Sequence, residues 1–309
     1  METTPMQPSV SLILATIGTT DRLPRLARSL AAQSVRDFEL IVVNQGAPEA
    51  LDPFFALLPG DIPRTSLRSP KGLSRARNVG LAAARGGIVG FPDDDAWYPA
   101  TLVDTLAQLF RREAGLDMLT GVTRDADGAL SNGTFLEAAA DLDAANVWNA
   151  GNSNSIFVRR APALAVKGFD ETLGAGSGTP FGSGEETDLL LRLLAAGHRG
   201  RFLPDLVVHH DQVDQRIAPS VLRRAQLYAQ GYGRVLRLHG YSRGFVAWRV
   251  GRSLAAAALA GGRGRLAEAQ RRLIWARGIL DGYAMPLGAT GEPLTGSGPG
   301  RAWPPGPSH

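Results

Sequence analysis

The stretch Phe91-Pro-Asp-Asp-Asp-Ala-Trp-Tyr-Pro99 follows directly on the apolar run Gly87-Ile-Val-Gly-Phe91. The apolar run has the length and composition of a buried strand. Three adjacent carboxylates at the end of such a strand repel one another and resist desolvation. A divalent cation relieves both problems, and hard oxygen ligands suit Mg²⁺ or Mn²⁺. The alternative is an acidic turn before a helix that begins at Pro99, and this stretch alone leaves both interpretations open.

Further apolar runs lie on both sides of this stretch, and segments with helical spacing separate them. Val10–Ala15 and Phe38–Val43 have the composition of buried parallel strands. Strands that alternate with helices predict an α/β fold with a mostly parallel sheet. Ligands bind such sheets beyond the carboxyl ends of the strands, where Asn44, Gly46 and Asp93–Asp95 fall. Further strands are predicted at 66–68, 118–122, 155–158, 201–203 and 206–208, and helices at 23–30, 51–58, 74–84, 99–112 and 186–196.

A second acidic motif, Gly182-Ser-Gly-Glu-Glu-Thr-Asp-Leu-Leu-Leu-Arg192, places Glu185, Glu186 and Asp188 at the start of a predicted helix. Acids are favourable there on structural grounds alone, because the helix dipole is positive at its N-terminus. A catalytic role requires one of these carboxylates to face the metal site. The glycine-rich loop 174–184 just before them could close over a ligand.

Two basic motifs also admit two interpretations. His209-His210 follow an apolar strand, and each is either a metal ligand or a buried, hydrogen-bonded histidine. The basic side chains of Lys71-Gly-Leu-Ser-Arg-Ala-Arg-Asn-Val-Gly80 lie near a predicted helix N-terminus. They could meet phosphates there, or they could form a solvated helix face.

The composition of the 309-residue chain excludes several classes of site. It has no cysteine, so a disulfide scaffold, a zinc-thiolate site and a thiol nucleophile are ruled out. Its net charge of +4 is uneven, because residues 1–210 carry −5 and residues 211–309 carry +9. No apolar run is long enough to span a bilayer, and residues 1–10 do not resemble a secretory signal. We therefore expect a cytoplasmic location.

The predicted domain organisation follows the same division of charge. Residues 1–212 form the predicted α/β catalytic domain, residues 213–287 a basic helical appendage, and residues 288–309 a disordered Gly/Pro-rich tail. The basic helices either pack on the catalytic domain with arginines facing solvent, or lie on an anionic membrane surface as a peripheral contact. Little aromatic character separates their arginines, so no nucleic-acid partner is expected.

Taken in order, these motifs resemble a family-2 glycosyltransferase with the GT-A fold, a Rossmann-like, mostly parallel sheet flanked by helices. The resemblance covers roughly residues 9–212. The matching segments are Ser11–Thr16, Phe38–Gly46, Gly72–Gly80 with Ala76-Arg-Asn-Val-Gly80, the Asp-x-Asp motif at Asp93–Asp95, the Glu-Asp motif at Glu185–Arg192 and the strand-then-histidine ending Leu206–His210.

The resemblance implies an inverting, metal-dependent enzyme that moves a sugar from a nucleotide-diphosphate donor to an acceptor hydroxyl. The acceptor would be a carbohydrate or a lipid-linked or cell-surface glycan, as in polysaccharide biosynthesis. The family's base position carries Glu186 instead of the usual Asp, with Asp188 and Glu185 as further candidates. The family's nucleotide-contacting Asp is Asn44 here. The implied metal ligands for Mn²⁺ or Mg²⁺ are Asp93, Asp94, Asp95 and His210, and the implied donor-binding residues are Thr16, Asn44, Gly46, Arg77, Asp93 and Asp94.

Three other functions remain open at this point. A sugar nucleotidyltransferase shares the nucleotide-binding sheet, and Gly18-Thr-Thr-Asp-Arg-Leu-Pro24 faintly echoes its first loop. A catalytically inactive nucleotide-sugar-binding homologue fits the presence of Asn44 and Glu186. A nucleic-acid-binding module is suggested only by the basic C-terminal region.

Overall fold

The computed structural model describes residues 7–18, 21–212 and 219–286. The predicted disordered tail at 288–309 lies outside the described residues, as does the start of the predicted appendage. The described residues of Met1–Lys71, Arg75–Gly168 and Arg192–Val213 form one compact unit, the first unit. Those of Gly72–Ser74, Phe169–Leu191 and Asp214–His309 form the second unit.

The described residues contain the strands and helices that an α/β fold requires. The strands are β1 (Val10–Thr16), β2 (Phe38–Asn44), β3 (Arg64–Arg68), β4 (Ile88–Gly90), β5 (Ala96–Trp97), β6 (Met118–Arg124), β7 (Ala140–Asp141), β8 (Ile156–Arg159) and β9 (Gly200–His210). The helices are α1 (Leu23–Ala31), α2 (Asp52–Ala56), α3 (Leu73–Ala83), α4 (Leu102–Arg112), α5 (Arg160–Ala165), α6 (Glu185–Ala195), α7 (Pro219–Leu238), α8 (Arg243–Gly262) and α9 (Leu266–Ala284).

The sheet of the first unit confirms the predicted architecture. Its strand order is β3-β2-β1-β4-β8-β6-β9-β5, with β7 beside β9, and most of its paired positions are parallel. Strands β1 and β2 pair in register from Val10↔Phe38 to Thr16↔Asn44. Because both run the same way, Thr16 and Asn44 lie side by side at the carboxyl ends.

The second half of the sheet departs from a simple parallel alternation. Strand β8 runs antiparallel between β4 and β6. The two strands predicted at 201–203 and 206–208 are one strand, β9, which extends to His210. Its end pairs with the short strand β5 through Ala96↔His210 and Trp97↔His209. Both histidines therefore lie within a strand and not after it.

The apolar periodicity of the sequence matches the observed core. Helix α1 buries Leu23, Leu26, Ala27 and Leu30 against the sheet core, as its spacing predicts. The helix predicted at 74–84 is α3, which begins one residue earlier, at Leu73. The hydroxyl of Ser74, its second residue, donates to the Leu173 carbonyl at 2.7 Å.

Helices α7, α8 and α9 pack tightly within the second unit. A Cβ added to Gly282 of α9 would lie 2.0 Å from the Gln230 carbonyl oxygen of α7, so glycine is required for this approach. The chain before α6 also packs on α7, because the Gly182 N–H donates to the Leu227 carbonyl at 3.0 Å. Residues 169–191 thus belong to the same compact unit as the C-terminal helices. The domain bounds 1–212, 213–287 and 288–309 stay a prediction.

Candidate active site

Asp94 is held against the end of β1. The Thr16 hydroxyl donates to Asp94 Oδ2 at 2.8 Å and accepts a hydrogen bond from the Gly18 N–H at 3.0 Å. Thr16 is 2% exposed. The carboxyl ends of β1 and β4 are therefore joined by a side-chain hydrogen bond across 78 residues of sequence.

Asp93 is held by a buried cation. Arg77 of α3 is 1% exposed, and its Nη2 donates to Asp93 Oδ1 at 3.0 Å. The Ser153 hydroxyl donates to Asp93 Oδ2 at 3.1 Å. Arg77 was predicted as a donor-binding residue, and in this structure its charge faces a carboxylate at the end of β4.

Asp95 is paired with His210. The pairing of β5 with β9 brings His210 Nε2 within 3.1 Å of Asp95 Oδ1, and Arg22 Nη1 lies 3.1 Å from Asp95 Oδ2. His210 Nδ1 faces the Asp211 carbonyl oxygen, which can only accept, so Nδ1 carries a proton. The Asp95 carboxylate oxygen also only accepts, so this pair requires a proton on Nε2 as well, and His210 is an imidazolium here.

The pKa values of the three carboxylates shift in different directions. Burial raises the pKa of Asp93, and the Arg77 cation only partly opposes this rise. Burial and the two neighbouring carboxylates raise the pKa of Asp94. Burial also acts on Asp95, but the hydrogen bond and charge of His210 outweigh it and lower the pKa of Asp95. For His210, burial is outweighed by Asp95, and the pKa rises.

The loop after β2 is shaped by Asn44 and Gly46. Asn44 Oδ1 accepts from the Gly46 N–H at 2.8 Å, and Asn44 Nδ2 donates to the Ala47 carbonyl at 2.9 Å. A Cβ on Gly46 would lie 2.1 Å from the Ile17 carbonyl oxygen, so the loops after β1 and β2 touch here. The asparagine thus builds the loop that was predicted to receive the nucleotide.

His209 has a different environment from His210. Its ring stacks on Trp97 with centroids 5.2 Å apart, and the Arg25 guanidinium lies 3.1 Å from the centre of the Trp97 ring. Arg25 also donates to Asp211 at 2.8 Å. These contacts give the His209 ring a packing role on the face of Trp97.

The donor chemistry of Asp93–Asp95 and His210 suits a hard divalent cation, because it combines carboxylate oxygens with an imidazole nitrogen. Asp95 and His210 could hold a cation between them, whereas Asp93 and Asp94 are turned toward Arg77 and Thr16. Among the described residues, no group of three or more acidic, histidine or cysteine side chains is arranged to hold a metal ion. Metal binding here would require the carboxylates to exchange these partners.

The second acidic motif lies in the second unit, at the start of α6. Asp188 is 3% exposed, and its Oδ1 lies 2.8 Å from His239 Nε2. Glu185 is buried, and its carboxyl group would lie 3.1 Å from a Cβ added to Gly174. Glu186 Oε2 is buried, and within the part of the chain that is described it makes no hydrogen bond.

Most of the site residues that the sequence predicts lie in the first unit. There the three adjacent carboxylates contact Thr16, Arg77 and His210. The sequence interpretation missed Ser153 and Arg22, which contact Asp93 and Asp95. Ser153 directly follows the polar segment Asn146–Asn152, which was the available signal. Nothing in the spacing of Arg22 distinguishes it from other arginines.

Comparison with solved structures identifies the fold class. The mannosyltransferase PcManGT from Pyrobaculum calidifontis, in complex with GDP-Man and Mn²⁺, aligns over 89% of this chain and 88% of its own, with a TM-score of 0.59 and 19% identity. Residues 1–349 of S. aureus TarS, in complex with UDP-GlcNAc, align over 88% of this chain and 90% of their own, with a TM-score of 0.54 and 18% identity. The fold is therefore that of the GT-A glycosyltransferases.

Sequence comparison finds a family resemblance in the first part of the chain. Residues 11–142 match the profile of glycosyl transferase family 2. This match covers less than half of the 309-residue chain, and the chain resembles the family over that segment.

Curated relatives named as glycosyltransferases match parts of the chain. The uncharacterized glycosyltransferase EpsJ of Bacillus subtilis (strain 168) is 32% identical over 106 residues, 33% of this chain and 30% of its own length. The uncharacterized glycosyltransferase alr2836 of Nostoc sp. (strain PCC 7120 / SAG 25.82 / UTEX 2576) is 26% identical over 164 residues, 49% of this chain and 51% of its own length. The chain thus matches about half or less of the length of these relatives.

Proposed function

We propose that this protein transfers a sugar from a nucleotide-diphosphate donor to an acceptor hydroxyl, with inversion at the sugar carbon and with a divalent cation. The observation that carries the proposal is the position of Asp93, Asp94 and Asp95 beyond the carboxyl end of β4, tied by hydrogen bonds to Arg77, Thr16 and His210. Ligands of α/β sheets bind at this edge.

The donor class is supported by the chemistry of the leaving group. A departing nucleoside diphosphate gains negative charge, so cations at its oxygens favour the transition state. The solved structures with this fold include one with GDP-Man and Mn²⁺ and one with UDP-GlcNAc. By analogy, Thr16, Asn44, Gly46 and Arg77 would line the nucleotide site of this chain.

The cation, Mn²⁺ or Mg²⁺, would be held by Asp95 and His210 together with Asp93 or Asp94. It would supply charge neutralisation of the diphosphate oxygens. In its absence, Arg22 and His210 compensate the charge of Asp95. Cation binding therefore replaces an internal ion pair.

The acceptor hydroxyl has a high pKa and needs a base in the transition state. Glu186 is the proposed base, because its side chain is partly exposed whereas Glu185 and Asp188 are buried, and its Oε2 accepts no hydrogen bond from the described residues. Asp188 is engaged by His239 at 2.8 Å, which gives it a structural role. Glu185, fully packed within its own unit, is the third candidate.

The proposed acceptor is a carbohydrate or a lipid-linked glycan of the kind used in polysaccharide biosynthesis. The support is the name of the family and of its relatives, not a contact in the structure. The proposed location is the cytoplasm, and it remains a prediction from the sequence.

The test is a panel of nucleotide sugars incubated with the full chain in Mn²⁺, in Mg²⁺ and in a chelator. We expect one donor to be hydrolysed slowly, to release a nucleoside diphosphate and to stabilise the fold only with the cation. Pyrophosphate release from a nucleoside triphosphate would instead identify a sugar nucleotidyltransferase. Donor-dependent stabilisation without any turnover would identify the inactive homologue.

A further inference from the structure

Helix α9 exposes a row of leucines. Leu266, Leu273 and Leu280 are 73%, 52% and 49% exposed, and they follow one another at intervals of seven residues. Seven residues make nearly two turns, so the three side chains lie on one side of the helix. The opposite side packs in the second unit through Ile279 and Gly282. We call Leu266, Leu273 and Leu280 the leucine row.

The same unit carries a large positive charge. Residues 219–286 contain 12 arginines and two acids, a net charge of +10. Both acids lie near arginines of their own helix, Glu268 at 3.7 Å from Arg265 and from Arg272, and Asp281 at 3.7 Å from Arg277. The exposed arginines are Arg223, Arg224, Arg237, Arg243, Arg252, Arg263, Arg265, Arg272 and Arg277.

A second copy of the chain fits this surface poorly. With the leucines at heptad position d, position a of α9 is occupied by Gln270, Arg277 and Ala284. With the leucines at position a, position d is occupied by Ala269, Ala276 and Tyr283, of which Ala276 is already buried within the unit. Coiled coils need apolar residues at both positions. Two such surfaces would also bring +10 against +10, and like charges repel when they are desolvated together.

A nucleic acid would satisfy the arginines but would leave the leucine row in water. An anionic lipid surface satisfies both, because apolar side chains enter the acyl boundary while arginines reach the headgroup phosphates. Arg277 lies between Leu273 and Leu280 and can extend its charged end outward along its own apolar stem. Within the described residues, every helix is too short or too polar to cross a bilayer.

We propose that α9 docks the protein on an anionic membrane, with the leucine row inserted at the level of the headgroups and the surrounding arginines bound to lipid phosphates. This surface is independent of the proposed sugar transfer, since none of its residues belongs to the candidate site. Docking would place the enzyme where a lipid-linked acceptor is found.

The test is flotation of the full chain with phosphatidylcholine vesicles, with and without phosphatidylglycerol, at low and high salt. We expect anionic vesicles to bind at least about tenfold more tightly, because each basic residue near such a surface contributes about 1 kcal/mol. High salt should weaken this binding.

Two sets of substitutions separate the contribution of the arginine charges from that of the inserted leucines. Arg265→Gln/Arg272→Gln/Arg277→Gln should abolish the preference for anionic vesicles, and Leu266→Ser/Leu273→Ser/Leu280→Ser should weaken binding at every salt concentration. Matched controls in the first unit are Arg111→Gln/Arg112→Gln and Leu57→Ser/Leu164→Ser, which replace exposed residues and should bind like the unmodified chain. The single change Leu266→Ser serves if the triple variant unfolds.

Several results would overturn the proposal. One is a chain that stays off anionic vesicles at low salt, and another is a pair of triple variants that both bind as the unmodified chain does. A dimer in light scattering that the leucine substitutions dissociate would make a second copy the occupant. Tighter binding to a nucleic acid than to anionic vesicles at equal salt would also contradict it.

Discussion

His239 Nε2 lies 2.8 Å from Asp188 Oδ1, and the two side chains are only 10% and 4% exposed. The contact joins the C-terminal end of α7 to the first turns of α6 within the second unit. One residue of the acidic motif therefore has a partner from the helices that the sequence presented as an appendage. This pairing assigns Asp188 to the positioning of α6.

His239→Ala should destabilise the second unit. The substitution leaves a buried carboxylate without this partner, which costs about 1–3 kcal/mol. Urea unfolding followed by circular dichroism measures the change. The matched control is His198→Ala, because His198 Nδ1 lies 2.9 Å from Asp117 Oδ2 but the side chains are 27% and 24% exposed. An equal effect of both substitutions would show that burial of the pair is unimportant.

Glu186→Gln should abolish transfer while donor binding persists. Loss of a general base lowers turnover by about 10²- to 10⁴-fold, whereas the amide keeps the shape of the side chain. Turnover and calorimetric donor affinity are measured together. Asp188→Asn is the comparison, and its effect should follow the stability of the fold. If Glu186→Gln reduces donor affinity as much as turnover, Glu186 is not the base.

Asp95→Asn and His210→Ala should each weaken Mn²⁺ binding in the presence of a nucleoside diphosphate. Asp95→Asn removes the negative charge of one proposed ligand and His210→Ala removes the nitrogen of the other, which lies 3.1 Å away, so we expect at least about a tenfold rise in Kd. Titration calorimetry gives the Kd. His209→Phe is the control, since His209 stacks on Trp97 and the new ring retains that contact. A metal affinity that is equal in all three variants would exclude the proposed ligands.

Glu39 should make stability depend on pH. It is 2% exposed, and although burial raises its pKa, hydrogen bonds from Ser11 and Arg85 outweigh that effect and lower it from 4.5. A lowered pKa stabilises the fold above the unfolded value, and the stabilisation is lost as pH falls through the folded value.

The measurement is the urea midpoint between neutral pH and about pH 3, on either side of the carboxyl pKa range. Glu39→Gln should flatten the dependence, and Ser11→Ala, which removes one of the hydrogen bonds, should reduce it in part. If the urea midpoint of Glu39→Gln still falls as steeply with pH, other carboxylates cause the dependence.

Two glycines of the C-terminal helices should respond in opposite directions to alanine. A Cβ on Gly282 would meet the Gln230 carbonyl oxygen at 2.0 Å, so Gly282→Ala should destabilise by about 1–3 kcal/mol. Gly251 of α8 has no atom within 4 Å of its added Cβ, so Gly251→Ala should stabilise by about 0.5–1 kcal/mol. Thermal unfolding of both variants provides the comparison. Destabilisation by Gly251→Ala would mean that this side of α8 is covered in solution.

The sequence by itself determined the fold class and the nature of the candidate site. Apolar runs such as Val10–Ala15 and the helical spacing of α1 are local patterns, and they report burial directly. The position of Asp93–Asp95 after a buried strand placed carboxylates at the ligand-binding edge of the sheet. These inferences need only neighbouring residues.

Only the tertiary structure decided which partner each side chain has. Asp95 meets His210 because the two-residue strand β5 pairs with the end of β9, and no local pattern marks such a short strand. Arg77 faces Asp93, and Asp188 faces His239, through contacts between segments that are distant in sequence. Such pairings depend on how whole elements pack, because charged residues at helix surfaces look alike in sequence whether they end up buried or exposed.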